Sequence, residues 1–140
     1  MSKQKYCVAF ICVQNAGRSQ MAAAFAERKV IEEDLPIEIT SGGTDPADNV
    51  HEGVVEVMAE LGFDLSSNKP RKIEPGELED CDYVLTMGCS TTGVCPASWE
   101  GIDREWELDD PAAADLEKVK EIRDEIETRV SSLLNEIMKK

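Results

Sequence analysis

Short apolar runs alternate with longer amphipathic stretches along this chain. The nearly continuous apolar runs Tyr6–Ile11 and Tyr83–Met87 are typical of strands buried on both faces of a sheet. The alternating segment Pro36–Thr40 predicts a further strand, which we expect to end at Ser41-Gly42-Gly43. Arg104–Leu108 is a candidate for a short fourth strand.

Helical periodicity accounts for the stretches between and after these strands. One helix is predicted to begin near Ser19, and a second covers Asn49–Leu61 before a stop at Gly62. The third is a long amphipathic helix with Asp115 as its N-cap. Its apolar residues recur at helical spacing: Leu116, Val119, Ile122, Ile126, Val130, Leu133 and Ile137. Strands that alternate with helices predict an α/β fold whose parallel sheet is covered by helices on both faces.

The composition favours one acidic domain over residues 1–140. The 140 residues can bury a core, and 41% of them are hydrophobic, which is too many for a disordered chain. The 29 acidic residues outnumber 15 basic ones, giving a net charge of -14. Because such a chain repels phosphates and anionic lipids, we expect neither nucleic acid nor a membrane as a partner. The acidity fits either a solvated surface or a salt-rich cytosol that screens the carboxylates.

The N-terminal segment and the cysteines predict a cytoplasmic protein. Residues 1–12 lack the long apolar region and cleavage site of a signal peptide. The five cysteines, an odd number, fit a reducing compartment in which thiols persist. Cys7 and Cys81 lie in apolar runs and are expected to be buried, whereas Cys12, Cys89 and Cys95 lie where chain breaks are expected.

The segment after the first strand has the composition of an anion-binding loop. Cys12 is followed by five residues and then by Arg18 and Ser19, at a junction between a strand and a helix. A helix N-terminus there would direct backbone N–H groups and its positive end to one point. Gly17 permits a close backbone curl, and Asn15 tolerates left-handed turn geometry. The candidate oxyanion-binding residues are Val13, Gln14, Asn15, Ala16, Gly17, Arg18 and Ser19.

The same loop supplies a candidate nucleophile. The positive field at the helix start favours the thiolate form of Cys12, and Ser19 could donate a hydrogen bond to it. Arg18 could clamp two oxygens of a tetrahedral oxyanion whose central atom faces the sulfur. The alternative is an ordinary strand–turn–helix junction with a buried cysteine and a surface arginine.

Further reactive residues follow the third and fourth predicted strands. Ligands of parallel sheets bind outside the carboxyl ends of the strands, which are followed here by Cys12, Cys89 and Asp110. Cys89 and Cys95 share one loop and fit three interpretations: a redox relay, a zinc site or thiols without a role. The cysteine pair is spaced more widely than in usual structural zinc sites, and His51 is the only histidine.

Several of these segments resemble one known family. The loop resembles the phosphate-binding loop of low-molecular-weight protein tyrosine phosphatases, and Asn15–Ala22 is more similar to the arsenate reductases built on that fold. The similarity continues at Ser41–Thr44, Val84–Cys89 and Trp106–Ala112, and so spans nearly the whole chain in order. It implies a four-stranded parallel sheet flanked by helices.

The sequence also departs from the family pattern. Gln14 stands where the family often has glycine, and Gly17 where many reductases have a second cysteine. Ala23 occupies a place where some members have a glutamate that helps bind potassium, so the resemblance does not carry that ion site over. Members often have one more residue between the last two cysteines of the relay.

The resemblance implies a cytoplasmic arsenate reductase without a resident cofactor or metal, and we expect a monomer. By this resemblance, Cys12 of the present chain would be the nucleophile, Arg18 would clamp the oxyanion, and Asp110 would be the acid that protonates a leaving oxygen. Cys89 would then attack Cys12, Cys95 would attack Cys89, and an external dithiol such as thioredoxin would reduce the resulting disulfide.

Three other functions stay open at this point. A phosphatase acting on phosphotyrosine or a small phosphoester needs Cys12, Arg18 and Asp110 but not the loop cysteines. A noncatalytic oxyanion or redox sensor would bind the anion without turnover. A zinc-stabilised interaction domain would instead use the loop cysteines to hold the metal.

Overall fold

The computed structural model describes residues 6–79, 81–87, 102–106 and 115–139. They form one four-stranded, fully parallel sheet with the strand order β2-β1-β3-β4. The strands are β1 (Tyr6–Cys12), β2 (Ile37–Gly43), β3 (Tyr83–Met87) and β4 (Ile102–Glu105). The α-helices are α1 (Arg18–Glu33), α2 (Glu52–Ala59) and α3 (Leu116–Met138), and a 3-10 helix covers Pro75–Leu78. The predicted α/β fold with four parallel strands is confirmed.

Alternation along β1 divides the core between the two faces of the sheet. Val8, Phe10 and Cys12 belong to a large cluster with apolar residues of all three α-helices. Ala9 and Ile11 belong to a smaller cluster on the other face. That second cluster is completed by Val84 of β3 and by Leu78 of the 3-10 helix with the nearby Ile73 and Cys81, and Cys7 packs against it. Both faces of β1 are therefore covered, as its unbroken apolar run predicts.

The ends of two strands differ from the prediction. β2 does not end before Ser41-Gly42-Gly43 but includes these residues, because Gly43 pairs in register with Cys12. A bridge between Gly43 and Lys72 extends the pairing on the other side. β4 begins at Ile102 rather than Arg104, because its register is set by pairing with β3.

The start of α2 also differs from the prediction, and the reason lies in the loop after β1. The prediction began this helix at Asn49, whereas it begins at Glu52. His51 donates its backbone N–H to the carbonyl of Ala16 and has an extended backbone (φ -60°, ψ 135°), so it is the N-cap and the helix begins only after it. Among the described residues, no helix is long and apolar enough to cross a membrane.

Candidate active site

The candidate site lies where β1 ends and α1 begins. Cys12 is the last residue of β1, which is an inner strand of the sheet, and its side chain is only 3% exposed. The N-cap of α1 is Gly17, so the loop joins the carboxyl end of a parallel strand directly to the positive end of a helix. This is the location at which α/β sheets bind ligands.

Segment 44–51 holds the carbonyl groups of this loop from outside. The backbone N–H groups of Thr44, Asp45, Ala47 and His51 donate to four loop carbonyls at 2.8–3.2 Å. These carbonyls belong to Cys12, Val13, Gln14 and Ala16. In a trans peptide the next N–H points away from the carbonyl, so this bonding turns the following amides toward the other side of the loop. The loop is therefore held with its N–H groups on the side away from segment 44–51, an arrangement called the cradle below. Its binding of an oxyanion stays a prediction.

The sulfur of Cys12 lies on the donor side of the cradle. The backbone N–H of Asn15 donates to Sγ at 3.2 Å, and Oγ of Ser19 lies 2.9 Å from the same sulfur. The side-chain amide Nδ2 of Asn15 donates to Oγ of Ser19 at 2.7 Å. Because the Ser19 oxygen accepts this bond, its own hydrogen is available to Sγ. The Asn15 N–H and the Ser19 hydroxyl thus converge on the sulfur.

Asn15 forms the left-handed turn of the cradle. It has a φ of 51°, in the left-handed region, and is completely buried. Its Oδ1 accepts hydrogen bonds from the backbone N–H of Arg71 (3.0 Å) and from Nε2 of Gln20 (3.2 Å). Nε2 of Gln20 also donates to the backbone carbonyl of Asn15 at 2.9 Å. The predicted left-handed turn at Asn15 is present and is fixed by contacts from outside the loop.

Arg18 is the first residue of α1 and is only 8% exposed. The alternative interpretation of this junction required a surface arginine, and the burial of Arg18 contradicts it. A guanidinium group keeps its charge at any physiological pH. The cradle therefore has a buried cation in the first turn of the helix that follows it.

Three predicted site residues, Cys89, Cys95 and Asp110, lie outside the described residues. Their roles stay predictions. The part of the chain that the structure describes contains no group of three or more His, Cys, Asp or Glu side chains that could hold a metal ion.

Sequence reasoning missed two contributors to this site. The sequence pattern assigned only the start of a helix, at Asn49, to segment 44–51, although N–H groups of this segment hold the cradle. Gln20 received no role, although its side chain is 6% exposed and binds Asn15 twice. The available signal was a polar amide in the first turn of a helix, at a position that faces the core.

Comparisons with known proteins identify chains that are similar to this one over most of its length. A family model described as low molecular weight phosphotyrosine protein phosphatase matches residues 7–140. A Halobacterium salinarum protein with the provisional name arsenate reductase is 57% identical over 130 residues, covering 91% of this chain and 89% of that protein. A glutaredoxin arsenate reductase of Synechocystis is 32% identical over 133 residues, covering 93% of this chain and 97% of that protein.

A solved structure extends the similarity to three dimensions. The thioredoxin-dependent arsenate reductase of Corynebacterium glutamicum superposes with a TM-score of 0.79 at 34% sequence identity. The match covers 99% of the present chain and 64% of the Corynebacterium chain, so the present chain spans less than two thirds of that protein's length.

Proposed function

Because this chain belongs to the low molecular weight phosphotyrosine protein phosphatase family, we propose that its cradle binds a tetrahedral oxyanion and that the protein reduces arsenate to arsenite. The observation that carries the proposal is the convergence of Asn15 N–H and Ser19 Oγ on the sulfur of Cys12 inside a loop of turned amides. Arsenate shares its shape and charge with phosphate, so one cradle accepts either anion. The names of the similar proteins favour arsenate.

The first step forms a bond between Cys12 and arsenic. The thiolate of Cys12 attacks arsenic while the cradle amides and Arg18 stabilise the oxyanion. One arsenate oxygen leaves as water, and Asp110 supplies a proton to it. The product is a thiol–arsenate adduct on Cys12.

The second step is the reduction. The thiolate of Cys89 attacks the sulfur of Cys12, an S–S bond forms, and the S–As bond breaks. The electron pair of that bond remains with arsenic, which leaves as arsenite. Cys95 then attacks Cys89, which frees Cys12 and leaves a Cys89–Cys95 disulfide. In total, one arsenate and two thiols give one arsenite, one disulfide and one water.

An external protein dithiol of the thioredoxin type completes the cycle in this proposal. Thiol–disulfide exchange with such a dithiol returns Cys89 and Cys95 to thiols and oxidises the partner. The Corynebacterium protein supports thioredoxin as this partner, and the Synechocystis protein supports glutaredoxin as the other candidate. The cycle requires a reducing compartment, which agrees with the cytoplasmic location expected from the sequence.

Arsenate turnover with thioredoxin, thioredoxin reductase and NADPH tests the proposal. We expect Cys12→Ser, Cys89→Ser and Cys95→Ser to abolish steady turnover, whereas Cys7→Ser, which alters a half-buried thiol packed with the second core cluster, keeps it. Arsenate without reductant should leave a Cys89–Cys95 disulfide in the parent. In Cys95→Ser it should leave a Cys12–Cys89 disulfide. Full turnover by both loop variants would overturn the relay.

Hydrolysis of phosphoesters is the second candidate, favoured by the family to which the chain belongs. It uses Cys12, Arg18 and Asp110 but needs neither Cys89 nor Cys95. A parent protein that cleaves an aryl phosphate through Cys12 but releases no arsenite from arsenate would establish this second function and exclude the first. Binding of arsenate without either turnover would indicate a sensor.

A further inference from the structure

A chain of hydrogen bonds connects the surface of the protein to the sulfur of Cys12. Nδ2 of the exposed Asn68 donates to Oε1 of Gln20 at 3.1 Å. Nε2 of Gln20 donates to both oxygens of Asn15, at 2.9 and 3.2 Å. Asn15 donates to Ser19 at 2.7 Å, and Ser19 lies 2.9 Å from the sulfur. Gln20 is the link that joins the outer and inner halves of this chain.

Backbone groups fix the direction of the bonds around Asn15. The backbone N–H of Arg71 can only donate, so the Asn15 atom 3.0 Å from it is the carbonyl oxygen Oδ1. The amide nitrogen of Asn15 therefore faces Ser19. The backbone carbonyl of Asn15 can only accept, so the Gln20 atom beside it is Nε2.

This direction determines what Ser19 does at the nucleophile. Because Oγ of Ser19 accepts from Asn15, its hydroxyl hydrogen is not used there and can be donated to Sγ when Cys12 is ionised. If Asn15 turned its amide, the hydroxyl could donate to Asn15 instead and would leave the sulfur. Asn15 is also held at a left-handed φ of 51°, which costs energy unless outside contacts compensate for it.

We infer that Gln20 is a positioning residue for the nucleophile, an inference that rests on the proposed role of Cys12. One side-chain amide of Gln20 clamps both the backbone carbonyl and the side chain of Asn15. This clamp holds Asn15 in the orientation that commits the Ser19 hydroxyl to the thiolate. Within the described part of the chain, the side chain of Gln20 forms hydrogen bonds to Asn15 and Asn68 and not to the sulfur, so it acts through Asn15 and Ser19.

Gln20→Met tests this role, because methionine has a similar length and no hydrogen-bonding amide. The rate at which iodoacetamide alkylates Cys12, followed by peptide-resolved mass spectrometry across pH, reports the thiolate population. We expect the midpoint of this profile to move to higher pH by about one unit, which is a tenfold loss of thiolate at a fixed lower pH. Arsenate turnover at neutral pH should fall about tenfold in kcat, with little change in KM.

A double variant separates positioning from general damage. In a Ser19→Ala background, Gln20→Met should move the midpoint no further, because the two changes remove the same hydrogen bond. Phe25→Leu in the same helix, which alters packing against Phe63, should lower Tm without moving the midpoint. If Gln20→Met does not fold, Gln20→Ala replaces it, since alanine favours the helix.

Two results would overturn the inference: an unchanged midpoint in the folded Gln20 variant, or an equal further shift in the Ser19→Ala background. The alkylation assay contains no arsenate. If the parent protein fails to reduce arsenate, the proposed reduction is contradicted, but the alkylation profile still tests the role of Gln20. Conversely, if Gln20→Met reduces arsenate normally and its alkylation midpoint is unchanged, only the role of Gln20 is contradicted.

Discussion

Gly43 lies directly against Val13, the first residue of the cradle after Cys12. A Cβ atom at Gly43 would stand 2.5 Å from the carbonyl oxygen of Val13 and 2.9 Å from the backbone nitrogen of Asn15. Both are backbone atoms, and the Val13 carbonyl already accepts a hydrogen bond from Asp45. The end of β2 can approach the cradle this closely only because residue 43 has no side chain.

Gly43→Ala should therefore damage both stability and the site. The added methyl group must push the cradle away, and we expect the free energy of unfolding to fall by about 1–3 kcal/mol, as in overpacked cores. The rate of a reaction that depends on Cys12 should fall by more than the loss of folded protein explains, because Asn15 moves with the loop. Urea unfolding and a Cys12-dependent assay measure the two effects.

Gly53→Ala is the matched control for this prediction. A Cβ atom at Gly53 would meet Leu116 and Val119 at 3.7 and 3.8 Å, which are ordinary contacts. Because Gly53 lies in α2, the free energy of unfolding should rise by about 0.5–1 kcal/mol. Equal stability of the two alanine variants would show that Gly43 is not sterically required.

Cys81 should resist alkylation in the folded protein. A hydrogen bond with Cys7 and burial raise the pKa of the Cys81 thiol far above its ordinary value, and the nearby carboxylates of Asp82 and Glu38 raise it further. Since the thiolate is the reactive form, iodoacetamide at about pH 8 should leave Cys81 unmodified until denaturant is added. Rapid labelling of Cys81 in the native protein, seen by peptide mass mapping, would contradict this prediction.

The same raised pKa predicts a loss of stability at alkaline pH. Cys81 in the unfolded chain ionises near its ordinary value of about 8.5, whereas in the fold it keeps its proton. The unfolded state therefore binds fewer protons above that pH, and the free energy of unfolding falls as pH rises. Cys81→Ala should lower stability at neutral pH through a small cavity but show a flatter decline at higher pH. Urea unfolding at several pH values and constant salt compares the slopes, and equal slopes would refute this explanation.

Arg123 should contribute more to stability than an exposed basic residue. It lies on α3, is 8% exposed, and its Nη1 donates to the carbonyl of Val57 near the end of α2 at 2.9 Å. Arg123→Met leaves that buried carbonyl without this donor, so we expect a loss of about 1–3 kcal/mol in urea unfolding. Lys29→Met, which removes only an ion pair with Glu33 on one helix, should change stability by about 0.5 kcal/mol or less. Similar losses in both variants would contradict a special role for Arg123.

Elements with a strong local pattern were predicted well from the sequence. β1 was predicted to within one residue at its end, and β3 has the predicted bounds. The predicted N-cap of α3 is confirmed, since the side chain of Asp115 accepts a hydrogen bond from the backbone N–H of Lys118 at 2.9 Å. In these segments the apolar pattern and the capping residue agree, and no distant contact competes with them.

Elements whose ends depend on distant partners were predicted less accurately. β2 continues through Gly43 because that residue pairs with Cys12, and α2 begins late because its N-cap, His51, binds the carbonyl of Ala16 in the cradle. A turn signal such as Gly42-Gly43 indicates conformational freedom but does not show which neighbour will use it. The partners are decided only when the sheet assembles.

The order of residues along the chain was by itself enough to place Cys12 at the end of a buried strand, followed by Gly17, Arg18 and Ser19 at the start of a helix. That placement follows from local patterns, because strand burial and helix initiation depend on neighbouring residues. The tertiary structure alone decided that the backbone N–H of Arg71 holds the side chain of Asn15 and that Asn68 binds Gln20. Hydrogen bonds between segments far apart in sequence form only after the sheet has brought those segments together, so no local pattern encodes them.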